Sequence, residues 1–232
     1  MKYLAFDIET AKMNPHNYDR RSHRPLGISC AATFLSGADE PVLWHGGANH
    51  KRPANRMNRK ELRGLVDYLA KKVRCGYKIV TWNGLGFDFD ILAEESGMLD
   101  KCRSLAIDQV DMMFHAVCRL GYGISLDSAA KGMDLVGKSE NVTGVSAPQL
   151  WAEGRRKEVL EYVAHDVEIT LDLAEICEAR GLLCWVTRSG RRRKLALPNG
   201  WLPVRSAEKL PRTGTSWMWP QWSRERFTAW LN

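Results

Sequence analysis

The order of strand and helix patterns between Arg59 and Glu95 most constrains how this chain can fold. Arg59 to Val73 carries apolar residues at helical spacing, which gives one apolar stripe with charged residues opposite. Tyr77 to Trp82 is a short apolar run typical of a buried strand, and Asp88 to Glu95 opens another helix. The order of helix, strand and helix, following an earlier strand, is that of a parallel crossover. We therefore expect helices packed on a sheet with parallel neighbours.

The N-terminal part of the chain adds antiparallel strands to that sheet. Lys2 to Ile8 is apolar until its far end and predicts a short buried strand. After a polar loop from Asn14 to Pro25, Leu26 to Leu35 and Val42 to His45 predict two further strands. Gly, Asp and Pro between them are typical of a hairpin turn. Three adjacent antiparallel strands, joined to a parallel crossover, predict a mixed sheet in an α/β fold.

The second half of the chain is mostly helical. Met98 to Met133 has a helical pattern, Gly132 to Gln149 is rich in Gly, Pro and small polar residues and predicts a loop, and Arg155 to Arg180 is the clearest helix of the chain. Leu182 to Thr187 and Arg192 to Leu197 flank a turn-forming tetrapeptide and predict a hairpin.

Composition excludes several classes of protein. The 232 residues are 44% hydrophobic, which is enough to bury a core and too much for a disordered chain. No apolar run approaches the roughly 18 residues that cross a bilayer, and acidic residues stand where a signal peptide would be apolar. We therefore expect a cytoplasmic protein without a membrane partner. The six cysteines lack Cys-x-x-Cys pairs, so we expect buried free thiols and no zinc site.

Positive charge is concentrated in the last part of the chain. Residues 182–232 contain ten Lys or Arg against two Glu, a net +8, so the other 181 residues sum to −1 of the total +7. A second basic stretch lies between His50 and Cys75. Basic surface on a nearly neutral body suits a polyanion such as nucleic acid, although a charge run can also be a solvated face.

Two acidic residues lie at the end of the predicted Lys2 to Ile8 strand. Asp7 and Glu9 are separated by one residue, and side chains alternate along a strand, so both leave the same face and can bind one cation together. The same pattern also fits a strand end whose acidic residues face solvent.

Two further polar residues interrupt the apolar face of the predicted Arg155 to Arg180 helix. Tyr162 and Asp166 are four residues apart, so the phenol and the carboxylate stack one turn apart and point towards the sheet. A buried lone carboxylate costs on the order of several kcal/mol, which a bound metal would remove. A simple hydrogen bond from Tyr162 to Asp166 is the alternative.

A third acidic element follows the strand that ends at Trp82. Asn83 to Phe87 contains two glycines, and Asp88 then stands in the first turn of a helix. Asp88 alone is equally well explained as a helix cap. The occurrence of all three acidic elements in this order favours a metal site.

These elements resemble the motifs of the DEDD superfamily of 3′-to-5′ exonucleases, which have a ribonuclease-H-like fold. The matching segments are Phe6 to Thr10, Asn83 to Asp88 and Tyr162 to Asp166. Tyr four residues before the last Asp resembles the Tyr branch, whereas His165 stands at the wrong offset for the His branch. Asp111 to Lys138, an Asp-led helix followed by Ser-Leu-Asp and Gly-Lys, is similar to the proofreading domain of family B DNA polymerases.

The resemblance covers residues 1 to about 180 and implies a fold, a reaction and a set of site residues. It implies a ribonuclease-H-like mixed sheet flanked by helices over residues 1–181, which leaves residues 182–232 as a basic, Trp-rich C-terminal appendage. It implies hydrolysis of phosphodiester bonds at 3′ ends with release of nucleoside 5′-monophosphates, using two Mg²⁺ or Mn²⁺ ions. One ion would be held by Asp7, Glu9 and Asp166, and the other by Asp7 and Asp88. Tyr162 would orient the attacking water, and Thr10 and Asn83 would contact the terminal nucleotide.

The nature of the substrate and the role of the C-terminal residues stay open at this point. We favour DNA over RNA and single-stranded 3′ ends, and the basic cluster in the predicted hairpin is a further candidate for substrate binding: Arg191, Arg192, Arg193 and Lys194. Six Trp residues of the C-terminal part either stack on bases or, as we favour, pack on the nuclease domain. The alternatives to an enzyme are a non-catalytic nucleic-acid-binding module and an interaction domain of a larger assembly with unknown protein partners.

Overall fold

The computed structural model describes residues 1–13, 23–47, 54–137, 143–214 and 222–231. Within these residues the main sheet has five strands in the order β3-β2-β1-β4-β5. Their bounds are β1 Tyr3–Thr10, β2 Ile28–Leu35, β3 Val42–His45, β4 Lys78–Thr81 and β5 Val110–Asp111. The first three strands pair antiparallel, whereas β4 pairs parallel with β1 and β5 parallel with β4. The predicted mixed sheet is confirmed, and β5, which was not predicted, completes its parallel half.

Helices cover both faces of the sheet. Their bounds are α1 Arg59–Arg74, α2 Asp88–Ser96, α3 Leu99–Asp108, α4 Met112–Leu120, α5 Leu126–Gly132, α6 Ala147–Ala152, α7 Arg156–Arg180, α8 Val204–Ala207 and α9 Glu225–Thr228, followed by a 3₁₀ turn at Ala229–Leu231. The predicted α/β class with flanking helices is confirmed.

One predicted loop is partly helical. The end of α5 and the first turn of α6 lie within the segment 132–149, so the prediction of a loop is wrong at both of its ends. Pro148 lies in the first turn of α6, where its missing N–H would have no partner in any case. Pro148 was interpreted as a sign of a loop, but it lies at the start of a helix. Residues 138–142 of this loop and 14–22 of the earlier predicted loop lie outside the described part of the chain.

Alternation along β1 decides which residues face which helices. Leu4, Phe6 and Ile8 are buried in one core together with α1, α2 and α3. Tyr3 and Ala5 are buried in a second core, on the side of the sheet covered by α7. Because side chains of a strand alternate, the two acidic residues that follow Ala5 in the same phase also face α7.

The predicted hairpin after α7 is present as β6 Leu182–Val186 and β7 Arg192–Ala196. Trp185 and Leu195 of the hairpin are buried in the core formed with α7. Trp201 is also buried there, and its indole Nε1 donates a hydrogen bond to the carbonyl oxygen of Ala174 at 3.2 Å. These contacts favour the packing role over base stacking for Trp185 and Trp201, whereas Trp217 and Trp219 lie outside the described residues. A separate unit beginning at residue 182 stays a prediction.

Most of the cysteines are buried, as expected. Four of the six cysteines are buried free thiols, Cys184 is partly buried, and Cys75 is exposed, so the expectation of buried thiols is wrong for Cys75. Among the residues that the structure describes, no helix combines the length and the apolar character needed to span a bilayer.

Candidate active site

Three carboxylates from two elements meet on the α7 side of the sheet. Asp7 and Glu9 lie on β1 and Asp166 lies on α7, and each offers an oxygen within 4.8 Å of those of the other two. Glu9 is 6% exposed and Asp166 is 3% exposed. The alternative of a solvent-facing strand end is therefore wrong for Glu9.

The chemistry of this donor set fits a divalent cation. Three carboxylates held close together and mostly buried repel each other, and each is costly to bury as an isolated charge. A cation among them would neutralise that charge. Because all three ligands are oxygens, Mg²⁺ or Mn²⁺ suits the group better than a soft metal does.

Asp88 is joined to this group through Asp7. It is the first residue of α2 and is 2% exposed, and its Oδ1 accepts a hydrogen bond from the backbone N–H of Ile8 at 3.0 Å. Its carboxyl group also shares a hydrogen bond with that of Asp7. Burial raises the pKa of Asp88, while its hydrogen bonds with Asp7 and with the Ile8 N–H counteract this rise. Phe87 is the N-cap residue of α2, so the alternative of Asp88 as a simple helix cap is wrong.

The turn that leads into α2 has a restrained backbone. Asn83 has a positive φ of 75°, a conformation that costs energy for a residue other than glycine. Its backbone N–H donates to Asp111 Oδ1 at 3.1 Å, and the N–H of Leu85 donates to Asp111 Oδ2 at 2.9 Å. Gly84 packs on Thr81, where a Cβ would lie 2.4 Å from the Thr81 hydroxyl oxygen. Only glycine fits at position 84, which explains one of the two glycines in this motif.

Asp111 supports the site, although no role at the site was predicted for it. It is 1% exposed at the end of β5, and it caps α4 by accepting from the N–H of Phe114 at 2.9 Å. Burial raises the pKa of Asp111 to about 6, while the backbone donors counteract this rise. A carboxylate that accepts three N–H groups joins β5, α4 and the turn before α2. An Asp that ends a short apolar run and leads a helix is the local signal for such a residue.

Tyr162 lies one helical turn before Asp166 on the same buried face of α7. It is 5% exposed and belongs to the core that also contains Tyr3 and Ala5 of β1. The predicted stacking of phenol and carboxylate towards the sheet is therefore present in the structure.

The predicted nucleotide contacts differ in their surroundings. Thr10 ends β1 beside a bulge, is 4% exposed, and donates its hydroxyl to the carbonyl oxygen of Lys12 at 2.9 Å. Asn83 is half-buried in the turn described above. The Thr10 hydroxyl already has a backbone acceptor, so only its oxygen lone pairs remain available to a ligand.

The basic cluster lies on the β6–β7 hairpin, beside α5, rather than on the elements that carry the carboxylates. Its four residues are all exposed: Arg191, Arg192, Arg193 and Lys194. Arg192 forms an ion pair with Asp134. Burial raises the pKa of the partly buried Tyr122, and the charge of Arg193 partly counteracts this rise. The Tyr122 ring contacts the Trp185 ring edge-on, with the centroids 6.5 Å apart.

Comparisons with known proteins agree with this fold. A solved structure of the family B DNA polymerase from the hyperthermophilic archaeon Pyrobaculum calidifontis is similar, with a TM-score of 0.55 and 22% sequence identity. The similarity covers 76% of this chain and 24% of the polymerase chain, so this chain corresponds to a small part of that protein. A search of curated proteins finds no match.

A family model adds the classification. The model of the RNase_H superfamily matches residues 35–178, which is more than half of the chain. The match begins after β1, so the placement of Asp7 and Glu9 comes from the structure alone. Together with an acidic group able to bind a divalent cation, the fold supports a nuclease-type activity and nucleic-acid binding in general. The chain belongs to the RNase H superfamily.

Proposed function

We propose that this protein is a two-metal-ion 3′-to-5′ exonuclease of the Tyr branch of the DEDD superfamily. The observation that carries the proposal is the meeting of Asp7, Glu9 and Asp166 within 4.8 Å, with Asp88 hydrogen-bonded to Asp7. The four carboxylates come from three separate segments of the chain.

The carboxylates divide into two ligand sets that share Asp7. Asp7, Glu9 and Asp166 would hold one Mg²⁺ or Mn²⁺ ion, and Asp7 and Asp88 the other. When bound, such a pair of cations lowers the pKa of a water molecule and neutralises charge on the leaving 3′ oxygen. The hydrogen bond from the Ile8 N–H fixes Asp88 Oδ1, and the Asp88 carboxyl group shares a further hydrogen bond with that of Asp7.

Tyr162 would orient the attacking water from α7. A phenol has an ordinary pKa near 10, which is too high for an efficient general base at neutral pH. Its hydroxyl can instead hold a water in line with the scissile bond through a hydrogen bond. Its low exposure restricts the directions from which bulk water competes for that bond.

The substrate would be a single-stranded 3′ end, with DNA favoured over RNA. Thr10 and Asn83 flank the carboxylates at the ends of β1 and β4 and would contact the terminal nucleotide. The exposed cluster from Arg191 to Lys194 would bind phosphates further along the strand through charge. In this arrangement residues 1–181 form the nuclease domain, and residues 182–232 form a basic appendage packed on it.

A labelled substrate panel tests this function. Single-stranded and duplex DNA and RNA, each labelled at the 5′ end, are incubated with the protein in Mg²⁺, in Mn²⁺ or in a chelator. We expect a ladder that shortens one nucleotide at a time from the 3′ end, with release of 5′-mononucleotides, only with metal and not with Asp166→Ala. Large internal fragments at early times would contradict an exonuclease, and binding without degradation would favour the non-catalytic module.

A further inference from the structure

The end of the chain packs against the turn that leads into α2. The indole Nε1 of Trp230 donates a hydrogen bond to the carbonyl oxygen of Leu85 at 2.7 Å. Phe227 lies against Gly86, where a Cβ would stand 2.8 Å from the Phe227 ring. We call residues 222–231 the C-terminal segment and residues 83–87 the turn. The C-terminal segment lies beyond the region that matches the superfamily.

The turn is held by two residues from distant parts of the chain. Asp111 accepts the N–H groups of Asn83 and Leu85, while Trp230 donates to the carbonyl oxygen of Leu85. Both backbone polar groups of Leu85 therefore have buried or partly buried partners from distant parts of the chain. A strained positive φ, such as that of Asn83, persists when surrounding contacts restrain it in this way.

The C-terminal segment is itself fixed to the body of the protein. The Phe227 ring packs on that of Phe114 at 5.4 Å, and the Trp222 ring stacks on Phe227 at 6.2 Å. Arg224 is 9% exposed, and its guanidinium donates to four backbone carbonyl oxygens, those of Cys118, Glu208, Leu210 and Pro211. Because the buried guanidinium anchors the C-terminal segment, this segment can hold the turn that it contacts in a fixed position.

We propose that Phe227 and Trp230 are positioning residues of the active site. They hold the turn so that Asn83 meets the substrate and Asp88, two residues after Gly86, stays beside Asp7 and Ile8. This inference rests on the proposed function, which gives Asn83 and Asp88 their roles. It assigns the C-terminal segment to the active site rather than to an independent appendage.

The chain offers a matched control for a purely stabilising role. Trp201 also donates its indole N–H to a backbone carbonyl, that of Ala174 at 3.2 Å, and is also packed in a core. Trp230→Phe and Trp201→Phe each remove one such hydrogen bond and keep an aromatic ring. The Trp201 bond lies on α7 two turns beyond Asp166, whereas the Trp230 bond lies on the turn itself.

Hydrogen–deuterium exchange and steady-state kinetics together test the proposal. For Trp230→Phe we expect faster exchange in peptides that contain residues 83–88, and a kcat lowered about tenfold, the equivalent of one lost hydrogen bond. We expect Trp201→Phe to lower the melting temperature about as much as Trp230→Phe does. In Trp201→Phe, however, the exchange of residues 83–88 and kcat should be the same as in the wild type. Phe227→Leu, which keeps an apolar side chain, is the second variant and should act in the same direction as Trp230→Phe.

Each result decides for or against the positioning role. Unchanged exchange of residues 83–88 in both Trp230→Phe and Phe227→Leu would overturn it, as would equal kcat values for the Trp230 and Trp201 variants. If the wild-type protein degraded no substrate, the proposed function would fail on its own. The positioning role would then be decided by exchange and by Mn²⁺ titration, where Trp230→Phe should weaken Mn²⁺ binding and Trp201→Phe should not.

Discussion

The carboxylate of Asp88 accepts a hydrogen bond from the backbone N–H of Ile8 at 3.0 Å, across 80 residues of sequence. This bond joins the first residue of α2 to β1, directly beside Asp7. Asp7 is therefore close to Asp88, and it is also within reach of Glu9 and Asp166. The proposed sharing of Asp7 between two cations requires this position.

Removal of Asp7 or Asp166 should abolish turnover and leave the fold intact. We expect Asp7→Ala and Asp166→Ala to lower the Mg²⁺-dependent rate more than about 10³-fold, because each removes a proposed metal ligand. Without metal, both variants should melt no lower than the wild type, since like charges are relieved. Asp172→Ala, on the exposed face of the same helix, is the control and should keep its activity. Near-normal rates for either ligand variant would disprove the assignment.

Loss of the Tyr162 hydroxyl should have an intermediate effect. We expect Tyr162→Phe to lower kcat on the order of 10- to 10³-fold, because it removes the proposed water-orienting hydrogen bond and spares the proposed metal ligands. The rise in melting temperature on addition of Mn²⁺ should be the same as for the wild type. A loss as complete as that of Asp166→Ala would show that Tyr162 is more than an accessory group.

Replacement of Asp111 by Asn, its amide counterpart, should destabilise the protein. Its two oxygens accept three backbone N–H groups, and an Asn side chain would set an NH₂ donor against at least one of them. We expect Asp111→Asn to lower the free energy of unfolding by about 2 to 3 kcal/mol, as measured by urea denaturation, and to lower the nuclease rate as well. Asp108→Asn removes only a half-exposed ion pair with Arg205 and should cost less than about 1 kcal/mol. Equal effects of the two substitutions would contradict the role of Asp111.

The fold and the acidic residues could be predicted because their signals are local. Alternation along β1 and the helical period around Tyr162 and Asp166 fix which face each side chain takes, and burial of those faces brings the carboxylates together. The order of strands and helices then restricts the topology to a mixed sheet.

The supporting contacts could not be predicted because they depend on distant segments. Trp230 and Leu85 are 145 residues apart, and nothing local to either residue indicates the other. β5 has only two residues, too few for a period to show, so the position of Asp111 at the sheet edge was not evident. Proline at the start of α6 was ambiguous because it occurs both in loops and in first helical turns.

Stability should fall in acid through His115. Its Nδ1 accepts a hydrogen bond from the N–H of Leu202 at 3.3 Å, and burial, with a smaller effect of Arg119, lowers its pKa to about 4. The folded pKa lies below the unfolded value of about 6.5. The contribution of neutral His115 to the free energy of unfolding is therefore fully present above the unfolded pKa of about 6.5. It is lost as the pH falls towards the folded pKa of about 4.

Comparison with a variant isolates this effect. The raised pKa of Asp111 acts in the opposite direction, because a carboxyl that binds protons more tightly when folded gains stability as the pH falls. Since His115→Gln keeps that carboxyl, the difference between the two proteins reports His115 alone. We expect the wild type to lose up to about 3 kcal/mol more than the variant between pH 7 and 4.5 in urea denaturation. Parallel pH profiles would show that His115 does not titrate on unfolding.

The four exposed basic residues of the hairpin should bind nucleic acid through charge. Each phosphate contact by Lys or Arg releases condensed counterion, so affinity should fall steeply with salt. On single strands each lost contact should flatten the slope of log K against log salt by about 0.7, which gives up to about 3 for four contacts. Arg192 is already paired with Asp134, so its share should be the smallest.

The measurement uses metal-free Asp166→Ala protein, a labelled single-stranded oligonucleotide and a salt series. The test variant changes all four hairpin residues to Ser: Arg191, Arg192, Arg193 and Lys194. The control changes four basic residues of α1 to Ser: Lys60, Lys71, Lys72 and Arg74. We expect weaker binding and a flatter slope for the hairpin variant only, and, with Asp166 restored, a nearly unchanged kcat at saturating substrate. If the slope changed only in the α1 variant, the hairpin cluster would be a solvated surface and the stretch from His50 to Cys75 would contain the phosphate contacts.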